Sequence, residues 1–87
     1  MLKRIVFEVI EKIDSTIASA ELYGSKEDAW KSIGYMADKF IEEHNTTIDI
    51  TEFEIDPERF TIGIEYVYKK THTTQCRFYE IKTRFIH

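Results

Sequence analysis

Residues 4–23, Arg-Ile-Val-Phe-Glu-Val-Ile-Glu-Lys-Ile-Asp-Ser-Thr-Ile-Ala-Ser-Ala-Glu-Leu-Tyr, decide the fold because they satisfy two periodicities at once. With Leu2 before them, Ile5, Val6, Val9, Ile10, Ile13, Ile17 and Ala20 recur at helical spacing. As a hairpin, Ile5, Phe7 and Val9 share one strand face, Asp14-Ser15 turns the chain, and Thr16 to Tyr23 returns as a second strand. Two features favour the hairpin. The apolar positions are Ile, Val and Phe, which lose side-chain freedom in a helix and pack well on a pleated surface. Asp14-Ser15-Thr16 also offers side-chain hydrogen bonds to the backbone that interrupt a helix. The hairpin predicts an α+β domain of order β-β-α-β-β-β, an antiparallel sheet of about five strands with one long helix on one face. The helical alternative is α-α-β-β-β.

The middle of the chain is less ambiguous. Ala29, Trp30, Ile33, Met36, Ala37, Phe40 and Ile41 form one apolar stripe, predicting a helix from about Ser25 to Glu43. Ser25 is placed to cap it, with Asp28 three residues on, and Glu27 and Asp28 suit the positive end of the helix dipole. Gly34 inside the stripe is unfavourable unless the backbone approaches a sheet closely. Asn45, able to adopt a left-handed conformation, is the expected stop.

Beyond it, Ile48 and Ile50 alternate with polar residues, and so do Phe53 and Ile55, but the two runs are out of phase by one. A bulge near Thr51-Glu52 would reconcile them. Asp56-Pro57-Glu58-Arg59 reads as a turn, Phe60 to Tyr68 as a long alternating strand, Lys70 to Thr74 as a loop, and Gln75 to Ile86 as a final strand.

At 87 residues, with 43% hydrophobic and 32% charged residues, the chain makes one folded domain with a thin core. Phe7, Trp30, Tyr35, Phe40, Phe53, Phe60, Tyr66, Phe78 and Phe85 are the candidate large core pieces. The lone Cys76 excludes an internal disulfide, fits a reducing cytoplasmic setting, and reads as a small buried hydrophobe. No signal-peptide pattern and no apolar run of membrane-spanning length is visible.

Charge is strongly segregated. Residues 1–60 carry seven Lys/Arg against fourteen Asp/Glu, and residues 61–87 carry five against two, giving −7 and +3. Asp49, Glu52, Glu54, Asp56 and Glu58 form an acidic line on one strand and its turn, with Glu42 and Glu43 at the helix end. On a sheet edge, that line is either a surface that docks on a basic groove of another protein or a solvated face that discourages edge-to-edge aggregation. Lys69, Lys70, Arg77, Lys82 and Arg84, interleaved with aromatics, are either a nucleic-acid-binding surface or bases paired by Glu65 and Glu80. His44, His72 and His87 are scattered, and His72 with Cys76 has no zinc-ligand spacing, so no metal or other cofactor is expected. No nucleophile motif is present and abundant carboxylates alone are not an acid–base pair, so no enzymatic activity is expected. A thin core and the long Phe60–Tyr68 strand next to a terminal strand invite pairing into a homodimer that covers an exposed aromatic face.

An opening strand (Ile5-Val6-Phe7-Glu8-Val9), a second strand feeding a capped helix (Glu21-Leu22-Tyr23-Gly24-Ser25-Lys26-Glu27-Asp28-Ala29) and an acidic strand after the helix (Thr47 to Asp56) follow one another from Ile5 to Asp56. That layout resembles the layout of small phage-encoded proteins, some anti-CRISPR proteins among them. It omits the last two strands. The resemblance implies an inhibitor in the host cytoplasm that acts by contact on a host protein or complex, without cofactor or turnover. It brings no active-site residues.

Overall fold

Asp14 and Ser15 settle the N-terminal ambiguity. Both adopt positive φ, 49° and 71°, as a two-residue turn between antiparallel strands requires. Asp14 is held there from outside the hairpin. Its backbone N–H donates to the Cys76 carbonyl at 3.0 Å, and its Oδ1 accepts from the Cys76 N–H at 2.9 Å. The computed structural model describes residues 4–86; Leu2 and His87 lie outside them.

The elements are β1 (Arg4–Ile13), β2 (Thr16–Tyr23), α1 (Lys26–His44), β3 (Ile48–Asp56), β4 (Thr61–Tyr68) and β5 (Thr74–Ile86). They give the predicted β-β-α-β-β-β order, with all strands in one antiparallel sheet, β2-β1-β5-β4-β3. β5 joins its halves: residues 74–80 pair with β4 and residues 77–86 with β1. The two hairpins are therefore staggered along β5, and the molecule measures 55 × 21 × 20 Å. Only Arg77–Glu80 of β5 is flanked on both sides, and there Tyr79 is wholly buried.

α1 lies on one face, over β1, β5, β4 and β2. Its Ala29, Ile33, Ala37 and Phe40 pack on Val9, Tyr79, Ile62, Ile64, Tyr66 and Ile48. Ser25 caps the helix as expected, its Oγ accepting from the Asp28 N–H at 3.1 Å. The other end differs. Asn45 is right-handed (φ −59°), and the chain leaves instead through Thr47, whose N–H and hydroxyl both donate to the His44 carbonyl, at 3.0 and 3.1 Å. Gly34 also departs from expectation: a Cβ there would meet nothing within 4 Å, so no close approach to the sheet explains it.

The bulge falls where the phase shift placed it, between Ile50 and Glu52. It keeps Ile48, Ile50, Phe53 and Ile55 on the helix side of β3. One helix is too narrow to cover five strands, so Ile50, Phe53 and Ile55 stay 41–52% exposed. For the same reason the core differs from the predicted set. Phe40 and Tyr66 are buried, Phe7 and Trp30 sit at its margin, and Tyr35, Phe53 and Phe85 are exposed. Tyr79 supplies the missing ring. Phe60 has φ 56°, unusual for a bulky residue, and is held by Trp30 edge-on at 5.7 Å and Lys26 Nζ 4.1 Å above its ring. β4 is internal to the sheet, and the edges are β2 and β3.

Candidate functional site

Strand alternation fixes where the acidic line points. With the apolar residues of β3 turned toward the helix side, Asp49, Glu52, Glu54 and Asp56 project from the other, uncovered face of an edge strand. Glu58 continues them in the turn. Glu42 and Glu43 do not join them, because α1 occupies the opposite face; Glu43 instead lies 3.9 Å from Lys39.

Cross-strand register then builds a site. Glu52 is directly opposite Glu65, and Glu54 directly opposite Gly63; on the next strand Glu65 meets Cys76 and Gly63 meets Phe78. Because Gly63 has no side chain, a depression of about 250 Å³ opens between the Glu52, Glu54 and Glu65 carboxylates, with Cys76 and Phe78 at its side. A second hollow of about 350 Å³ adjoins it, bounded by Glu54, Asp56, Arg59, Thr61 and Phe78. The space above Gly63 is open: a Cβ added there would meet nothing within 4 Å.

The five predicted acidic residues are not equivalent. Asp49 is 3.8 Å from Lys69 Nζ. Asp56 shapes its own turn, Oδ1 accepting from the Glu58 and Arg59 N–H groups at 3.1 Å each, while Arg59 Nε is 3.7 Å from Oδ2. Glu52, Glu54 and Glu58 take part in no ion pair among the described residues. Glu65 was expected to pair with a base. It accepts instead from the Thr51 hydroxyl at 3.2 Å, so the bulge residue steadies it against Glu52. Cys76 is exposed rather than buried, because it falls on the uncovered face. Its thiol pKa is raised, by desolvation first and then by the negative charges of Glu65, Asp14 and Glu52.

The predicted basic residues are divided among three places. Arg77 is on the helix face, its guanidinium 4.0 Å from the centre of the Phe40 ring, 3.2 Å from Glu11 Oε2 and 3.2 Å from the Tyr66 hydroxyl. Burial alone would lower its pKa, but the Tyr66 and Tyr79 hydroxyls and Glu11 more than offset this, and the pKa is raised. Burial likewise raises the Tyr79 and Tyr66 hydroxyls. The Tyr66 and Tyr68 hydroxyls both donate to Gln75, completing a polar layer beneath the helix end. Lys82 and Arg84 are on the open face toward the β1–β5 end, 3.8 Å from Glu80 and 2.7 Å from Glu8 respectively. Glu80 also holds Lys12 of β1 at 3.0 Å, a cross-strand partner outside the C-terminal bases expected for it. Lys69 and Lys70 follow β4 at the other end.

Gly63, Glu65, Cys76 and Phe78 are the parts of the site that composition did not flag. Their parity along β4 and β5 was readable, but joining them to Glu52 and Glu54 requires the register between strands. No family model, curated protein or solved structure matches the chain. Among the described residues, no group of three or more His, Cys, Asp and Glu is arranged to hold a metal ion, and no helix is long and apolar enough to cross a membrane.

Proposed function

We propose that this is a non-catalytic docking protein, an accessory or inhibitor of the phage type, that binds a basic surface on a host protein through the uncovered face of β3 and β4 and blocks it. The observation that carries this reading is the Glu52–Glu65 opposition beside Glu54, around a depression where neither Glu52 nor Glu54 has an ion-pair partner among the described residues. Like charges placed directly opposite are destabilising, a cost that a partner's Lys or Arg reverses on binding. Side chains on one strand face repeat at about 6.5–7 Å, near the spacing of phosphates along one nucleic-acid strand, which suits the row to a nucleic-acid groove of the partner. Inhibition would be steric and electrostatic competition, faster to engage at low salt. The dispersed and internally paired bases give the nucleic-acid-binding alternative no comparable surface.

The test is affinity capture from a candidate host lysate with the wild-type chain and the Glu52→Lys/Glu54→Lys variant, over a salt series. Asp56 is left intact because its carboxylate forms the turn. A basic host protein retained by the wild type, released by salt and not retained by the variant supports the reading. Identical captures by both chains, with the variant folded by circular dichroism, overturn it.

A further inference from the structure

Resting on that docking reading, we propose that β3 receives its partner as an added strand. The occupant is an extended segment of another protein whose residues alternate between Lys or Arg and aliphatic or aromatic side chains. β3 is the end strand of the sheet, paired only with β4, so its outer edge carries backbone groups without a ladder partner. From Glu52 to Asp56 it runs in unbroken register with β4, after the bulge. Each face of this stretch presents one kind of chemistry. Glu52, Glu54 and Asp56 stand on one face, and Phe53 and Ile55, 43% and 52% exposed, on the other. A strand laid alongside places alternate side chains on each face, so the matching segment is cationic toward the carboxylates and apolar toward Phe53 and Ile55. The backbone ladder supplies attachment and the two faces supply selection.

A second copy of this chain is the wrong occupant. Pairing β3 with itself, in either direction, sets an acidic row beside an acidic row. Nucleic acid is excluded on the same ground, since its phosphates would meet the carboxylates. The opposite edge, β2, lacks this two-faced pattern: its one carboxylate, Glu21, accepts from the Tyr23 hydroxyl at 3.0 Å.

The test uses the full chain and a fluorescein-labelled peptide alternating Lys with Val, against a peptide of the same composition with its Lys and Val in separate blocks. Fluorescence anisotropy reads affinity, and hydrogen exchange reads the β3 amides. The alternating peptide is expected to bind about tenfold or more tightly than the block peptide and to slow exchange within Glu52–Asp56, as strand addition requires. Ile55→Thr, a change on the apolar face that leaves every carboxylate in place, is expected to weaken the alternating peptide and leave the block peptide unaffected. Equal binding of both peptides, lost in Glu52→Lys/Glu54→Lys, would mean that the acidic surface attracts cations without strand addition; this inference would fall and the docking reading would stand. Failure of the alternating peptide to bind or to protect β3, with the chain folded by circular dichroism, also overturns it.

Discussion

The acidic and basic halves of the charge split meet opposite fates in the folded chain. Of the bases after Gly63, Lys69, Arg77, Lys82 and Arg84 all lie against the protein's own carboxylates, Asp49, Glu11, Glu80 and Glu8. On β3, Glu52 and Glu54 face another carboxylate and a glycine. Two segments of opposite charge in the sequence are thus treated differently by the fold. Sheet order is part of the cause: β5 lies between β1 and β4, so Arg77 and Arg84 find the β1 carboxylates Glu11 and Glu8 beside them, whereas β3 lies at the edge with one neighbour. Segregation along a chain therefore says little about charge available to a partner until the neighbours of each strand are known.

The comparison can be broken most forcefully at Arg77. It is a largely buried cation with Glu11, Tyr66 and Phe40 around it, so Arg77→Ala is expected to cost about 2–4 kcal/mol in urea denaturation, leaving Glu11 without its counterion. Arg84→Ala, at a more exposed pair, is expected to cost less than about 1 kcal/mol. Equal losses would show that the bases are not differently employed on the two faces.

The acidic side responds in the other direction. Glu52→Lys turns a repulsive cross-strand pair with Glu65 into an attractive one and is expected to raise stability by roughly 0.2–1 kcal/mol. A fall in melting temperature would show that Glu52 has a structural partner. The subtlest probe is Cys76. Its raised pKa keeps the thiolate scarce, so alkylation at pH 8 is expected to be slow despite exposure. Glu65→Gln removes one of the negative charges that, after desolvation, raise that pKa, and is expected to speed the reaction. An unchanged rate would mean that solvent screens the carboxylates at this spot.

Local chemistry was a good guide to the elements. The Asp14-Ser15 turn, the Ser25 cap and the bulge after Ile50 each act over a few residues, and each was readable from those residues. What could not be read was long-range. Cys76 looked apolar enough to bury, but its strand position turns it to the face of the sheet opposite the helix, which no other element covers. Phe53 and Phe85 were rings of the right kind on strands that extend past that helix. The acidic line was legible as a line. Its narrowing to Glu52 and Glu54, with Glu65 as a third wall, depended on the pairing of β3 with β4 and on Asp56 being spent in its turn.

The span of β5 has a consequence for how the chain is made. β1 contributes its whole length to a partner more than sixty positions downstream, Arg4 with Ile86 and Ile13 with Arg77. A nascent chain on the ribosome can close its first hairpin, its helix and its β3–β4 hairpin, yet the two hairpins have nothing to join them until the last strand has emerged. Loop closure over such a distance is slow compared with hairpin formation, so assembly is all-at-once and late. Until then the stripe of Ile50, Phe53 and Ile55 and the margin of β4 that β5 will cover stand open to other chains, and for that interval the carboxylates of β3 serve the unfinished protein as its guard against sticking.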